Sequence, residues 1–110
     1  MQTPVQVSFK GLPASPALEQ RIRAKSEKLE RFNKRLTSVR VLVEALNRQE
    51  HPGRVYTVRV DVTVPGAELF ASREVGANHE EEDIRVALRD AFDAVTAQLE
   101  SFTHKQRERV

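Results

Sequence analysis

The chain has 110 residues, 39% of them hydrophobic and 31% charged, a composition typical of one soluble globular domain. It has no cysteine, which excludes disulfides and thiolate zinc sites and fits a reducing cytoplasm. No apolar run approaches the roughly 18 residues of a membrane span, and the N-terminus lacks a signal-peptide pattern.

Charge is divided unevenly along the chain, although the net charge is only +2. Residues 20–54 contain ten Lys or Arg against four acids, whereas residues 61–100 contain three Arg against ten acids. Such a division suggests a polyanionic partner on one face, but exposed helices that simply carry charge also explain it.

The chain begins with a predicted strand and a predicted helix. Val5, Val7 and Phe9 alternate with polar residues, which indicates a strand with one buried face. Ser15 and Pro16 form a typical helix start, because Ser caps the free N–H groups and Pro suits the first helical position. The helix is expected over residues 16–33.

One apolar stripe runs along this first helix. Leu18, Ile22, Leu29 and Phe32 recur at helical spacing, so all four should face the core. Lys25 falls within the stripe. Its stem could pack while its ammonium reaches water, or the cation could lie in a groove beside a phosphate, and the sequence leaves both open. Four more cations lie on flanks of the helix: Arg21, Lys28, Arg31 and Arg35.

Three strands follow, at residues 39–44, 56–64 and 69–75. The second is the clearest, because Tyr56 and four valines alternate with polar residues, and it should be central. A turn-rich segment, residues 47–54, precedes it, and Pro65-Gly66, which matches a type II turn, follows it. Short turns between strands require antiparallel pairing.

The last predicted helix, residues 83–110, is long and has a single apolar stripe. Arg85 and Arg89 are expected on its water side, opposite the core stripe, and four acids at 80–83 suit the positive end of the helix dipole. The helix should extend beyond the sheet and carry Lys105, Arg107 and Arg109 outward. The stripe consists of Ile84, Leu88, Ala91, Val95, Leu99 and Phe102.

These elements predict an α+β fold of order β-α-β-β-β-α, formed by residues 1–110 as one domain. The sheet should have four mostly antiparallel strands, with a parallel crossover between the first two. Because each helix has one apolar stripe, the economical packing places both helices on one face of the sheet.

Catalytic and metal-binding patterns are lacking in the sequence. There is no Gly-rich phosphate loop and no nucleophile elbow, and His51, His79 and His104 are far apart, as surface histidines usually are. The acidic run lacks the ligand spacing of a calcium loop. We therefore predict no enzyme activity, no cofactor, no metal and no small-molecule substrate.

The first helix is the strongest functional feature, with seven basic residues between Arg21 and Arg35. Clustered Lys and Arg neutralise phosphates, which favours nucleic-acid binding. Five Phe and one Tyr are few, and the strand pattern places most of them in the core, so contacts with RNA should involve backbone and shape rather than bases.

Three stretches resemble the ribosome hibernation-promoting factor and ribosome-associated inhibitor family over nearly the whole chain. They are PALEQRIRAKSEKLERF, DVTVPGAELFASRE and DIRVALRDAFDAVTAQLE. The resemblance implies a sheet backed by two helices, and a protein that binds the small ribosomal subunit where messenger and transfer RNA would lie. It also implies a short-type factor, unable to pair ribosomes through the separate dimerisation domain of long members. We expect the protein to be a monomer.

The resemblance implies that basic residues of both helices face ribosomal RNA. Lys25, Lys28 and Arg31 match the first helix of the family pattern, whereas the last helix has lost most of its cations and carries them later. The predicted RNA-binding residues are Arg21, Lys25, Lys28, Arg31, Arg35, Lys105, Arg107 and Arg109.

Two other functions stay open at this point. A sheet with two helices also resembles double-stranded RNA-binding modules, and the acidic last helix could instead dock a protein without any RNA. Sedimentation with ribosomal subunits and with duplex RNA discriminates among the three functions.

Overall fold

The computed structural model describes residues 3–46, 55–76 and 79–108, with side chains up to Lys105. It confirms the predicted element order. The predicted turn at 47–54 with His51, and Arg109, lie outside the described residues, as does the side chain of Arg107. The elements are β1 (Val5–Lys10), α1 (Pro16–Phe32), β2 (Ser38–Leu46), β3 (Val55–Val64), β4 (Ala67–Gly76) and α2 (Glu80–Glu108).

The four strands form one mixed sheet in the order β1-β2-β3-β4. β1 runs parallel to β2, and the other neighbours are antiparallel, as predicted. Val64 pairs with Ala67 across the Pro65-Gly66 turn, where Gly66 has a φ of 89°, as the third position of a type II turn requires. The β4 strand is longer at both ends than the sequence indicates.

Both helices cover the same face of the sheet. The inward side chains of β2 and β3 are almost completely buried, with Val39, Val43, Val58, Val60 and Val62 all at 0% exposure. α1 packs against β1, and α2 packs against β3 and β4. The apolar faces of the strands and the stripes of the two helices therefore form one core, as the single-sided patterns predict.

The start of α1 is as predicted, but its end differs. The Ser15 hydroxyl caps the helix by accepting a hydrogen bond from the Leu18 N–H at 3.3 Å. Ser26, rather than Lys25, occupies the interior position, and its hydroxyl donates to the Ile22 carbonyl at 2.8 Å. Phe32 is 77% exposed, so its predicted burial is wrong.

The last turn of α1 explains why Phe32 lies outside. Asn33 ends the helix: its side-chain Nδ2 donates to the Leu29 carbonyl at 3.1 Å, and its backbone N–H donates to Glu30. The chain then turns, and Leu36 becomes the next buried apolar side chain at 6% exposure. The core at this end is thus filled by Leu29 and Leu36, which leaves the Phe32 ring in solvent.

α2 begins at the acidic run and buries a wider stripe than the sequence indicates. The predicted residues from Ile84 to Leu99 are buried, Phe102 is half-buried, and Ala87 and Phe92 join the core. Neither described helix has a stretch of the length and hydropathy that crossing a membrane requires.

Candidate nucleic-acid interface

The two helices lie side by side on the sheet and leave a groove between them. It opens to solvent on the side of the molecule away from the sheet, and we call it the interhelix groove. From α1 it is lined by Arg21, Lys25, Lys28, Leu29 and Phe32, and from α2 by Glu82, Arg85, Arg89, Phe92, Asp93, Thr96 and Glu100.

Cations outnumber acids along the interhelix groove, by five to three. Within the described part of the chain, Arg21, Lys25 and Lys28 form no ion pair. Among the described residues, the one carboxylate in contact with Arg89 is that of its sequence neighbour Asp90, at 3.5 Å, and the Arg89 side chain is 61% exposed. Most of the positive charge in the groove is therefore available to an external anion.

Arg85 and Arg89 also line this groove, a position that the sequence analysis did not assign to them. They do point away from the core, as the periodicity predicts. However, α1 lies next to that flank of α2, so both arginines share a recess with Arg21 and Lys25. Helical periodicity identifies the exposed flank of a helix but not the element beside it, so sequence reasoning missed these two residues.

Lys25 sits at the centre of the groove. Its side chain is half-buried and lines the groove both beside Arg85 and beside Phe92. At such a position the aliphatic stem of Lys25 can pack against the protein while its ammonium reaches a phosphate. The two interpretations of Lys25 in the sequence are thus not exclusive.

The remaining predicted residues are dispersed. Arg31 lies on the other flank of α1, in a recess with Arg23 and Lys34 next to the β1 edge. Arg35 lines a recess with Phe102 at the end of α1, and Lys105 is exposed on α2. The structure therefore brings together Arg21, Lys25 and Lys28, but not the predicted set as a whole.

The opposite face of the sheet carries cations that are already paired. Lys10 contacts Glu44 at 3.7 Å, and Arg40 contacts Glu68 at 3.4 Å. Arg59 donates hydrogen bonds to the Asp61 carboxylate, which raise the pKa of the guanidinium above its ordinary value. The central carbon of the Arg59 guanidinium also lies over the Phe70 ring, 4.4 Å from the ring centroid. An anion would have to displace these carboxylates, whereas Arg21, Lys25 and Lys28 of the helical face have no carboxylate partner among the described residues.

The acidic side chains of the described residues form no cluster suited to a metal ion. Among the residues that the structure describes, no group of three or more His, Asp or Glu could hold a metal ion. At the start of α2, the Asp83 carboxylate accepts a hydrogen bond from the His79 N–H at 3.1 Å, which caps the helix.

Comparisons with known proteins agree with this architecture. The family model described as "Sigma 54 modulation protein / S30EA ribosomal protein" matches residues 5–107. No curated protein sequence matches the chain significantly.

Two solved structures have a similar fold. A ribosomal subunit interface protein from Coxiella burnetii shares 17% identity at a TM-score of 0.61, covering 96% of this chain and 99% of the other. The N-terminal domain of Protein Y from Thermus thermophilus shares 16% identity at a TM-score of 0.69, covering 92% of this chain and 99% of the other.

Proposed function

Because the chain belongs to the sigma 54 modulation protein and S30EA ribosomal protein family, we propose that it is a ribosome hibernation factor. In this proposal it binds the small ribosomal subunit in the channel of messenger and transfer RNA and prevents translation by occupying that space. The observation that carries the proposal is the family match over residues 5–107. The chain also has a fold similar to that of a ribosomal subunit interface protein, which is consistent with a ribosomal partner.

The interhelix groove is the surface that we assign to ribosomal RNA. Its cations are held on two packed helices, and Arg21, Lys25 and Lys28 have no described carboxylate partner. Lys and Arg on such a surface neutralise backbone phosphates without reading the base sequence. Binding at a defined place on the ribosome would then follow from the shape of the rRNA that the two helices fit.

Inhibition by occupancy needs no catalytic group. The factor would act as a monomer in the cytoplasm, without a cofactor, and the channel would become available again when it dissociates. Because much of the attraction would come from phosphates, affinity should fall steeply as salt concentration rises.

Competition at the channel tests this function. Small subunits are loaded with messenger and initiator transfer RNA, or left empty, and the binding of labelled protein to each is measured. We expect binding to empty subunits and strong reduction on loaded ones, together with inhibition of a reconstituted translation reaction. Equal binding to loaded and empty subunits would exclude the channel as the site.

A further inference from the structure

The most exposed large hydrophobic side chain among the described residues is an aromatic ring at the interhelix groove. Phe32 is 77% exposed, although it ends a helix whose other large apolar residues, Leu18, Ile22 and Leu29, are buried. Burial in water-free surroundings normally stabilises a ring of this size by about 1.5–3 kcal/mol. Single exposed apolar side chains are common on protein surfaces, so it is the position of this ring beside Lys25, Lys28 and Lys34, rather than its exposure alone, that points to a binding role.

Phe32 forms a ridge where several recesses meet. On one side the ring borders the interhelix groove, next to Lys25 and Lys28. On another it borders a recess with Lys34 and Arg35, and across a third it faces Thr103 and His104 of α2. An RNA strand whose phosphates contact these cations would pass directly over the ring.

The backbone beneath the ring is held firmly. Asn33 caps the helix through its side chain and its backbone N–H, and the Leu36 N–H donates to the Asn33 carbonyl at 3.1 Å. Leu29 and Leu36 anchor both sides of this turn in the core. Phe has only two side-chain torsions, and the backbone that carries it is already fixed. Binding a flat partner would therefore cost little conformational entropy.

We infer that Phe32 is a stacking platform for an unpaired base of RNA, with the surrounding lysines and arginines on the flanking phosphates. Base–aromatic stacking tolerates any sequence, because every base has a π-face. The inference rests on the proposed function and refines it, since it adds a contact with a single-stranded nucleotide to the contacts with backbone and shape.

A comparison of four proteins tests this inference: wild type, Phe32→Leu, Phe32→Trp and Phe70→Leu. Phe32→Leu keeps an apolar side chain without a π-face, and Phe32→Trp enlarges the π-face. Phe70→Leu is the matched control, because Phe70 is also exposed, at 52%, but lies on the opposite side of the sheet. Binding to small subunits is measured over a salt series.

The expected result is a loss of about 5- to 150-fold in affinity for Phe32→Leu, with an unchanged salt slope because no ion contact is removed. Phe32→Trp should bind at least as well as wild type, and Phe70→Leu should bind like wild type. Wild-type affinity for Phe32→Leu would overturn the inference. Equal weakening of the Leu and Trp variants would also overturn it, because that result indicates a shape fit such as docking to a ribosomal protein.

A second probe separates this inference from the proposed function. A short single-stranded RNA containing 2-aminopurine loses fluorescence when the fluorescent base stacks on the ring. If wild type does not bind subunits, the proposed function fails, and the RNA probe alone decides the inference. Quenching by wild type that Phe32→Leu abolishes would support stacking, whereas equal signals from both proteins would refute it.

Discussion

Charge reversal in the interhelix groove is the perturbation that isolates the proposed phosphate contacts. Lys25→Glu combined with Lys28→Glu removes two cations that have no described ion pair. Each phosphate contact contributes about 0.7–0.9 to the slope of log affinity against log salt concentration. If the contact adds little at about 1 M salt, it adds roughly 5- to 8-fold in affinity at about 0.1 M salt. Loss of both contacts should therefore weaken subunit binding about 30-fold or more and flatten the slope by about 1.4–1.8.

The fold should tolerate this change. Lys28 is exposed and Lys25 is only half-buried, so the free energy of unfolding should change by no more than about 1 kcal/mol. The matched control is Lys10→Glu with Arg40→Glu, which alters the net charge equally on the opposite face of the sheet. Affinity is measured by filter binding to small subunits over a salt series, with thermal melting of each variant. The reasoning is refuted if both pairs weaken binding equally, or if the groove variant keeps the wild-type slope.

Three further changes test other parts of the account. Arg85→Glu with Arg89→Glu should weaken subunit binding about as much as the two lysine reversals, since all four cations share the groove; wild-type affinity would remove α2 from the interface. Val60→Asp, at 0% exposure in β3, buries an unpaired charge at a cost of several kcal/mol, and a cooperative melt near the wild-type temperature would disprove that burial. Deletion of residues 105–110 should leave the melt nearly unchanged but weaken binding and flatten its salt slope, whereas unchanged binding would exclude the tail cations.

Most of the fold could be predicted because local patterns and tertiary burial agree. The alternation in β3 corresponds to residues that are buried or outward-facing in the structure, and Ser15 and Gly66 serve the cap and the turn that their chemistry favours. Each of these signals depends on residues that are close together in the sequence, so it can be recognised before the tertiary structure is known.

The candidate site was less predictable because it depends on which elements become neighbours. Arg85 has the same exposed flank whether or not α1 lies beside it, so the sequence could not assign it to the groove. Phe32 follows the helical spacing of the core stripe, yet Leu36 beyond the helix end fills the core in its place. Neither outcome is encoded in the periodicity of one helix.

Sedimentation with ribosomal subunits tests the central claim most directly. Labelled protein is mixed with isolated small subunits, isolated large subunits, or small subunits plus excess duplex RNA, and each mixture is separated on a sucrose gradient at moderate salt. We expect migration with the small subunit only, and no displacement by the duplex RNA. Migration with neither subunit, or complete displacement by duplex RNA, would contradict the assignment of the chain as a small-subunit hibernation factor.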